Sequence, residues 1–319
     1  MLGYLIRRTL AAIPVLLLVA VAVFSLLEFS PGDPAELIAG DTATPQQIAA
    51  IREALMLDRP LIPRFAAWFG AIVQGDLGVS LFSRVPIATL IAQRLEPTLM
   101  LAATTLTLVI IVSVPLGILA AVREGTILDR LVGIFAALCF SVPVFIVGYG
   151  LVGIFSLKLG WLPSQGYVPL SQGVGACLRS LVLPSLTLGG VYIALITRVT
   201  RASVLEVLNE DYLRTARAKG VPSFWILLRH ALPNAAIPIV TVIGFGLGAM
   251  LGGVVVTETV FNLPGLGRLT SESILRRDYP VIQALTLLFA AVYVLVNLLV
   301  DLSYGLFDPR VRQWGGRRS

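Results

Sequence analysis

Six largely apolar stretches divide the chain: Leu10–Phe29, Leu99–Val122, Leu131–Phe155, Leu178–Thr200, Ala235–Thr257 and Val281–Val300. A helix needs about 20 such residues to cross the hydrocarbon core of a bilayer, where its backbone must satisfy itself. The pattern predicts an all-α polytopic membrane protein with six transmembrane helices. The first stretch follows Arg7 and Arg8 and so has the outline of a signal peptide. It is longer than a usual signal core, so it is read as an uncleaved span. Pro14, Pro115, Pro143, Pro184 and Pro238 fall inside the spans. In a soluble helix each would cost about 3 kcal/mol. In a bundle, neighbouring helices or water satisfy the freed carbonyls, and local kinks are expected.

Helical periodicity also marks the gaps. In the segment 30–98, Thr44-Pro45-Gln46-Gln47 reads as an N-cap, a first-turn proline and a capping-box glutamine, opening a helix to about Leu57. A second helix follows Pro60, carries Phe65, Trp68, Phe69 and Ile72, and stops at Gly75. The two form either an amphipathic pair on the outer rim or a folded cap. Residues 156–177 read as an irregular outer loop with an interfacial Trp161.

The segment from Arg201 to Pro233 is the most informative. Leu205, Leu208, Tyr212 and Ala216 recur at helical steps and predict one helix from Ala202 to Lys219. Gly220 stops it, Val221-Pro222 redirects the chain, and Phe224 to Leu232 form a second short helix closed by Pro233-Asn234. Two short helices meeting at a glycine, joined rigidly to the fourth and fifth spans, suit a mechanical coupling element. An ordinary interfacial amphipathic loop fits the same residues. In the fifth span Gly244, Gly248 and Gly252 repeat every four residues, a helix-packing ladder to which Gly246 and Gly253 add small surface. Thr257 to Gly267 reads as a turn at the outer mouth, and a helix from about Thr270 to Tyr279 precedes the last span.

Composition narrows the class. The chain is 57% hydrophobic and only 13% charged, which excludes a disordered chain, a collagen, a coiled coil and almost any soluble enzyme. Its net charge of +6 would suggest nucleic acid in a soluble protein; here the basic residues fit membrane-flanking loops, and no nucleic acid is expected. With six spans, 14 basic residues fall on the side of the termini and 10 on the other, so both termini are expected in the cytoplasm. Cys139 and Cys177 are the two cysteines and His230 the single histidine, with no metal set or nucleophile elbow and no phosphate loop. The span middles lack a carboxylate of the kind an ion-driven pump uses. A path would be lined by groups such as Thr104, Thr105, Ser113, Ser141, Tyr149, Thr187, Tyr192, Thr197 and Thr241, each of which packing explains equally well.

Asp211-Tyr212-Leu213-Arg214-Thr215-Ala216-Arg217-Ala218-Lys219-Gly220, then Arg229-His230-Ala231-Leu232-Pro233-Asn234, resembles the coupling loop of bacterial ABC-importer permeases. Their pattern is Glu-Ala-Ala, three residues, Gly, nine residues, then Ile-x-Leu-Pro. Ala216, Gly220, Leu232 and Pro233 match; Arg214, Thr215 and His230 depart in a way typical of the dipeptide and oligopeptide subfamily. Tyr4 to Arg8, Pro31 to Pro34, Gln74 to Gly78 with Ser80, Glu258 to Gly267 and Asp278 to Pro280 extend the likeness over nearly the whole chain.

The resemblance implies the type I importer permease fold in a bacterial inner membrane. It implies a heterodimeric pore with a homologous second permease, driven by two ATPase subunits or a fused pair that carry the ATP and Mg, and fed peptides by an extracytoplasmic binding protein. This chain would be non-catalytic and hold no cofactor. Coupling to the ATPases would fall to Asp211, Tyr212, Arg214, Thr215, Ala216, Arg217, Lys219, Gly220, Pro222, His230, Leu232 and Pro233. The implied division is 1–98, a 99–308 core with coupling loop 201–233, and a 309–319 basic tail. Nickel chelates, glutathione or oligosaccharides are alternative cargoes within the same architecture. A membrane enzyme or standalone channel is the remaining class, and no catalytic dyad supports it.

Overall fold

A computed structural model describes residues 2–25, 33–40, 43–54 and 56–307. Glu28, the end of the first stretch at Phe29, Pro31-Gly32, Leu55, and the basic tail with Arg310, Arg312, Arg317 and Arg318 lie outside the described residues.

Among the described residues, five helices are long and apolar enough to cross a membrane. They are α1 (Leu2–Ser25), α5 (Ile87–Val122), α8 (Val174–Leu208), α11 (Leu232–Val260) with the turns before it, and α13 (Tyr279–Phe307). The expected third span is not one straight helix. It divides into α6 (Ile127–Ser141) and α7 (Val144–Leu151), the latter continued by a π-helical turn over Val152–Lys158, and the pair is bent by 105°. Pro143 is the cause: its ring disfavours the helical conformation of the residue before it, and Val142 is extended at φ −99°, ψ 124°. The Ser141 hydroxyl donates back to the Ala137 carbonyl (2.9 Å), which also favours bending. Pro14, Pro115, Pro184 and Pro238 are instead carried inside continuous helices. Counting the bent pair as one, the spans are six.

α8 lies along α5, and this crossing is the centre of the bundle. Small residues set its closeness. A Cβ on Gly117 would sit 2.6 Å from the Thr200 Cβ, and one on Gly189 would sit 3.1 Å from a Val109 methyl. Membrane helices gain little from hydrophobicity against lipid, so close backbone contact is what holds such a pair. α11 packs on α8 and on α13, and α1 packs on α13, where Arg8 pairs with Asp301 at 2.6 Å.

Both helices expected before α5 form, although the first ends at Ala54 and not near Leu57, and a third, shorter helix precedes them. α2 (Pro34–Ala39), α3 (Pro45–Ala54) and α4 (Leu61–Val73) are short helices. The capping box closes: the Thr44 N–H donates to the Gln47 side chain at 2.8 Å, and the Gln47 N–H donates back to the Thr44 hydroxyl at 3.4 Å. α4 lies on α1 through Phe65 and Trp68, each 5.3 Å from the Phe24 ring, with Arg64 over the same ring.

Two further expectations change. The helix predicted over Ala202–Lys219 breaks: α8 ends at Leu208, Glu210 is extended, and α9 (Asp211–Ala218) begins anew. Asn209 and Asp211 favour caps over helix interiors, and Asp211 suits the positive end of α9. The stretch from Thr257 is helical to Val260, so the turn at that mouth is only Phe261 to Gly265, before α12 (Leu266–Leu275). Glu258 is thus a helical residue, and it is fully buried. Its carboxylate accepts from the Thr98 hydroxyl (2.6 Å) and the Arg268 N–H (2.9 Å), tying α5, α11 and α12 together.

Candidate functional site

The elbow between α8 and α11 is built from α9, a glycine turn and α10 (Ser223–Trp225), which runs through a π-helical turn, Ile226–Ala231, into α11. Gly220 sits at φ +80°, the left-handed conformation that glycine adopts freely. Its N–H donates to the Arg217 carbonyl (2.9 Å), and the Val221 N–H donates to that of Ala216 (3.2 Å). Those two bonds are a Schellman closure, and Ala216 and Val221 share the small core beneath it. That core is Leu213, Ile226 and Ala231, all buried. The break at Asn209 lets α9 turn Leu213 into this core.

Polar contacts tie the elbow to α11. The Asn234 amide donates to the His230 carbonyl (2.7 Å) and to the Tyr212 oxygen (2.9 Å). The Tyr212 hydroxyl in turn donates to the His230 carbonyl (3.3 Å). α9 and the start of α11 therefore form one rigid piece. On the α8 side, Arg201 reaches Asp129 on α6 through two bonds of 2.5 and 2.8 Å, and the Gly125 N–H donates to the same carboxylate (3.1 Å).

Asp211, Arg214, Thr215, Arg217, Lys219, Pro222 and Pro233 are all exposed, while Ala216, His230 and Leu232 are half-buried. The structure thus places the residues implied for coupling on one connected elbow. It adds an apolar face that the motif pattern did not single out: Phe224 and Trp225, 62% and 53% exposed, meet edge to face beside Leu228, which is 42% exposed. The adjacent aromatics Phe224 and Trp225, two residues after Pro222, were the available signal. Exposed aromatics of this kind are what a protein interface presents.

Of the glycine ladder, Gly244 faces Val300 and Gly248 faces the Tyr293 ring, both on α13, whereas Gly252 faces open space. Of the proposed path groups, Thr105, Ser113, Thr187 and Thr197 are sealed within this one chain. Thr104 bonds Ser185 at 2.9 Å, and Ser141, Tyr149 and Thr241 are exposed. At the end opposite the elbow, the Gly166 N–H donates to the Phe261 carbonyl (2.9 Å), and Tyr167 donates to Glu96 (2.8 Å). Burial, and then the bond to Glu96, raise the Tyr167 phenol well above its ordinary range, so it stays a donor. Among the described residues no group of three or more His, Cys, Asp or Glu side chains could hold a metal ion, and both cysteines are free.

An all-α, multi-pass bundle with a helical elbow between its fourth and fifth spans is a type I ABC-importer permease fold. The inward-facing MetNI methionine ABC transporter shares it, with a TM-score of 0.58 at 19% identity over 69% of this chain and 97% of that one. Residues 113–313 match the binding-protein-dependent transport system inner membrane component, and residues 1–102 match the N-terminal model of such membrane components. The chain belongs to this family of inner-membrane permease components. It is 50% identical over 97% of its length, and 99% of the relative's, to a probable peptide ABC transporter permease, y4tP, of Sinorhizobium fredii. It is 46% identical over 98% of its length, and 99% of the relative's, to the glutathione transport system permease GsiC of Escherichia coli K12.

Proposed function

We propose that the chain is one permease half of an ATP-driven, binding-protein-dependent importer for small peptides, with both termini in the cytoplasm. Glutathione, one of the three alternative cargoes on sequence, is supported by the name of the GsiC relative, and peptides by that of y4tP. The coupling role rests on the elbow: an exposed aromatic and basic face carried on a piece fixed to α8 at one end and α11 at the other. A groove in an ATPase subunit grips that face. Closure of the ATPases on ATP moves the elbow as a body, and α8 and α11 follow, so that two packings of the bundle exchange. ATP and Mg stay on the ATPases, a second permease completes the pore, and the division at residues 98 and 308 separates the outer segment and the tail from the moving core.

The test is transport by the complex reconstituted in proteoliposomes with its binding protein. ATP-dependent uptake of labelled glutathione, competed by small peptides and lost when the ATPases are left out, is expected. Uptake by this polypeptide alone, or cargo confined to a sugar or a nickel chelate, would overturn the reading.

A further inference from the structure

Glu258 stands at the far end of α11 from the elbow, and a ring of polar contacts closes around it. Its carboxylate accepts from the Thr98 hydroxyl of α5 (2.6 Å) and from the Arg268 N–H of α12 (2.9 Å). The same Thr98 hydroxyl accepts from the Leu266 N–H at the start of α12 (2.8 Å). One turn back on α5, Arg94 pairs with Glu272 of α12 (3.3 Å). Glu272 also pairs with Arg268 (2.8 Å), and Arg268 bonds Asn262 in the turn between α11 and α12. Two glycines make room for this ring. A Cβ on Gly265 would overlap the Glu258 carboxylate, and one on Gly267 would sit 2.7 Å from the Val255 Cα. Glu258 and Thr98 are both buried.

A buried carboxylate is a costly way to stabilise a bundle. Its desolvation offsets much of what its bonds return, and a well-packed apolar side chain of similar size often does as well. What it adds is a fixed alignment of the groups that bond it. Here those groups open α12. The connection from α11 to α12, Phe261 to Gly265, is a short turn with Asn262 in the left-handed region at φ +53°. Short turns between helices allow more than one angle between them. The carboxylate selects one angle, because it holds the first turn of α12 through the Arg268 N–H and, by way of Thr98, the Leu266 N–H. At its other end α11 is fixed to the elbow through Asn234, His230 and Tyr212. From Asn234 to Glu258 the helix runs roughly 36 Å at 1.5 Å per residue. α11 is thus a rod with a fixed attachment at each end.

We propose that Glu258 is a positioning residue for transport: it mounts α12 rigidly on α11, so that a movement of the elbow is delivered to the mouth at the opposite end. The inference rests on the reading of the chain as an ATP-driven permease. Its test is a distance between two spin labels in the full complex in nanodiscs, with the binding protein present. Cys139 and Cys177 are replaced by serine, Leu275→Cys labels the exposed end of α12, and Ile62→Cys labels the exposed face of α4 as the reference. In the wild-type background the distance should shift between the nucleotide-free and the ATP–vanadate-trapped complex. Glu258→Met removes the acceptor and should abolish that shift while the assembled complex still hydrolyses ATP. Glu258→Gln should keep it. The Gln oxygen accepts from the Arg268 N–H and its amide donates to the Thr98 hydroxyl, which turns its own proton to the Arg94 carbonyl 3.4 Å away. Gly267→Ala, which forces α12 off α11 and leaves the carboxylate in place, should lose the shift as Glu258→Met does. A full shift in both Glu258→Met and Gly267→Ala would overturn the proposal, and so would a shift lost in Glu258→Gln as completely as in Glu258→Met. A wild-type complex whose ATPase the binding protein stimulates, but whose label distance never shifts, would overturn the role of Glu258 and leave the permease reading standing. A wild-type complex that no binding protein stimulates would remove both.

Discussion

Replacing Gly220 separates a conformational role from a contact role at the elbow. No heavy atom lies within 4 Å of where a Gly220 Cβ would sit, so a methyl group there strikes nothing. The whole effect of Gly220→Ala is backbone strain at φ +80°. An L-residue in that region is disfavoured by about 1–2 kcal/mol. One or two kcal/mol lowers the ratio of correctly turned to misturned elbows by a factor of roughly 5–30. Asn is larger than Ala but tolerates the left-handed conformation, and Val tolerates it least. The expected order of ATPase coupling is therefore Gly, then Asn, then Ala, then Val. The assay is binding-protein-stimulated ATP hydrolysis by the reconstituted complex, with the amount of inserted permease measured alongside. Insertion should change much less than coupling. An order that follows side-chain volume, with Asn below Ala, would refute the turn argument and make Gly220 a contact surface. Equal activity of all four would remove the elbow from the mechanism.

Glu258→Ala leaves the Thr98 hydroxyl and the Arg268 N–H without their acceptor and should destabilise the protein by about 3 kcal/mol, read as a lower melting temperature in detergent, with Glu258→Gln milder. Gly248→Leu should force α11 away from the Tyr293 ring and reduce stability, while Gly252→Leu, which faces open space, should leave the melting temperature within a degree or two of wild type; equal effects would contradict the packing. Asp129→Ala and Arg201→Ala should each lower coupling, and a double-mutant cycle should return an interaction of about 1 kcal/mol. Additive losses would mean that the pair does not act as a unit.

Local features were the legible ones. The Thr44–Gln47 box, the turn at Gly220 and the long apolar runs each depend on residues a few positions apart, and periodicity or capping chemistry exposes them. The break at Pro143 was half visible: five prolines stood in apolar runs, and nothing local distinguished the one that bends its span by 105° from those carried inside continuous helices. The break at Asn209 was hidden because Leu205, Leu208, Tyr212 and Ala216 keep helical spacing across it; the reason for it, Leu213 packing on Ile226 and Ala231, lies in the next element. Glu258 was invisible as a buried group because Thr98, its partner, is 160 residues away. Asp278 with Ser80 and Arg201 with Asp129 are the same case, at 198 and 72 residues. The exposed faces of Phe224 and Trp225 needed the fold to show which side of the elbow they occupy.

The elbow as the handle of a separate ATPase is tested most directly by the accessibility of a single cysteine. With Cys139 and Cys177 replaced by serine, Ser223→Cys places one thiol at the exposed start of α10. A membrane-impermeant maleimide should label it in inside-out vesicles and not in right-side-out ones, and the assembled ATPase pair should block the labelling. Labelling from the outer face, or a rate that the ATPases leave unchanged, would contradict the mechanism.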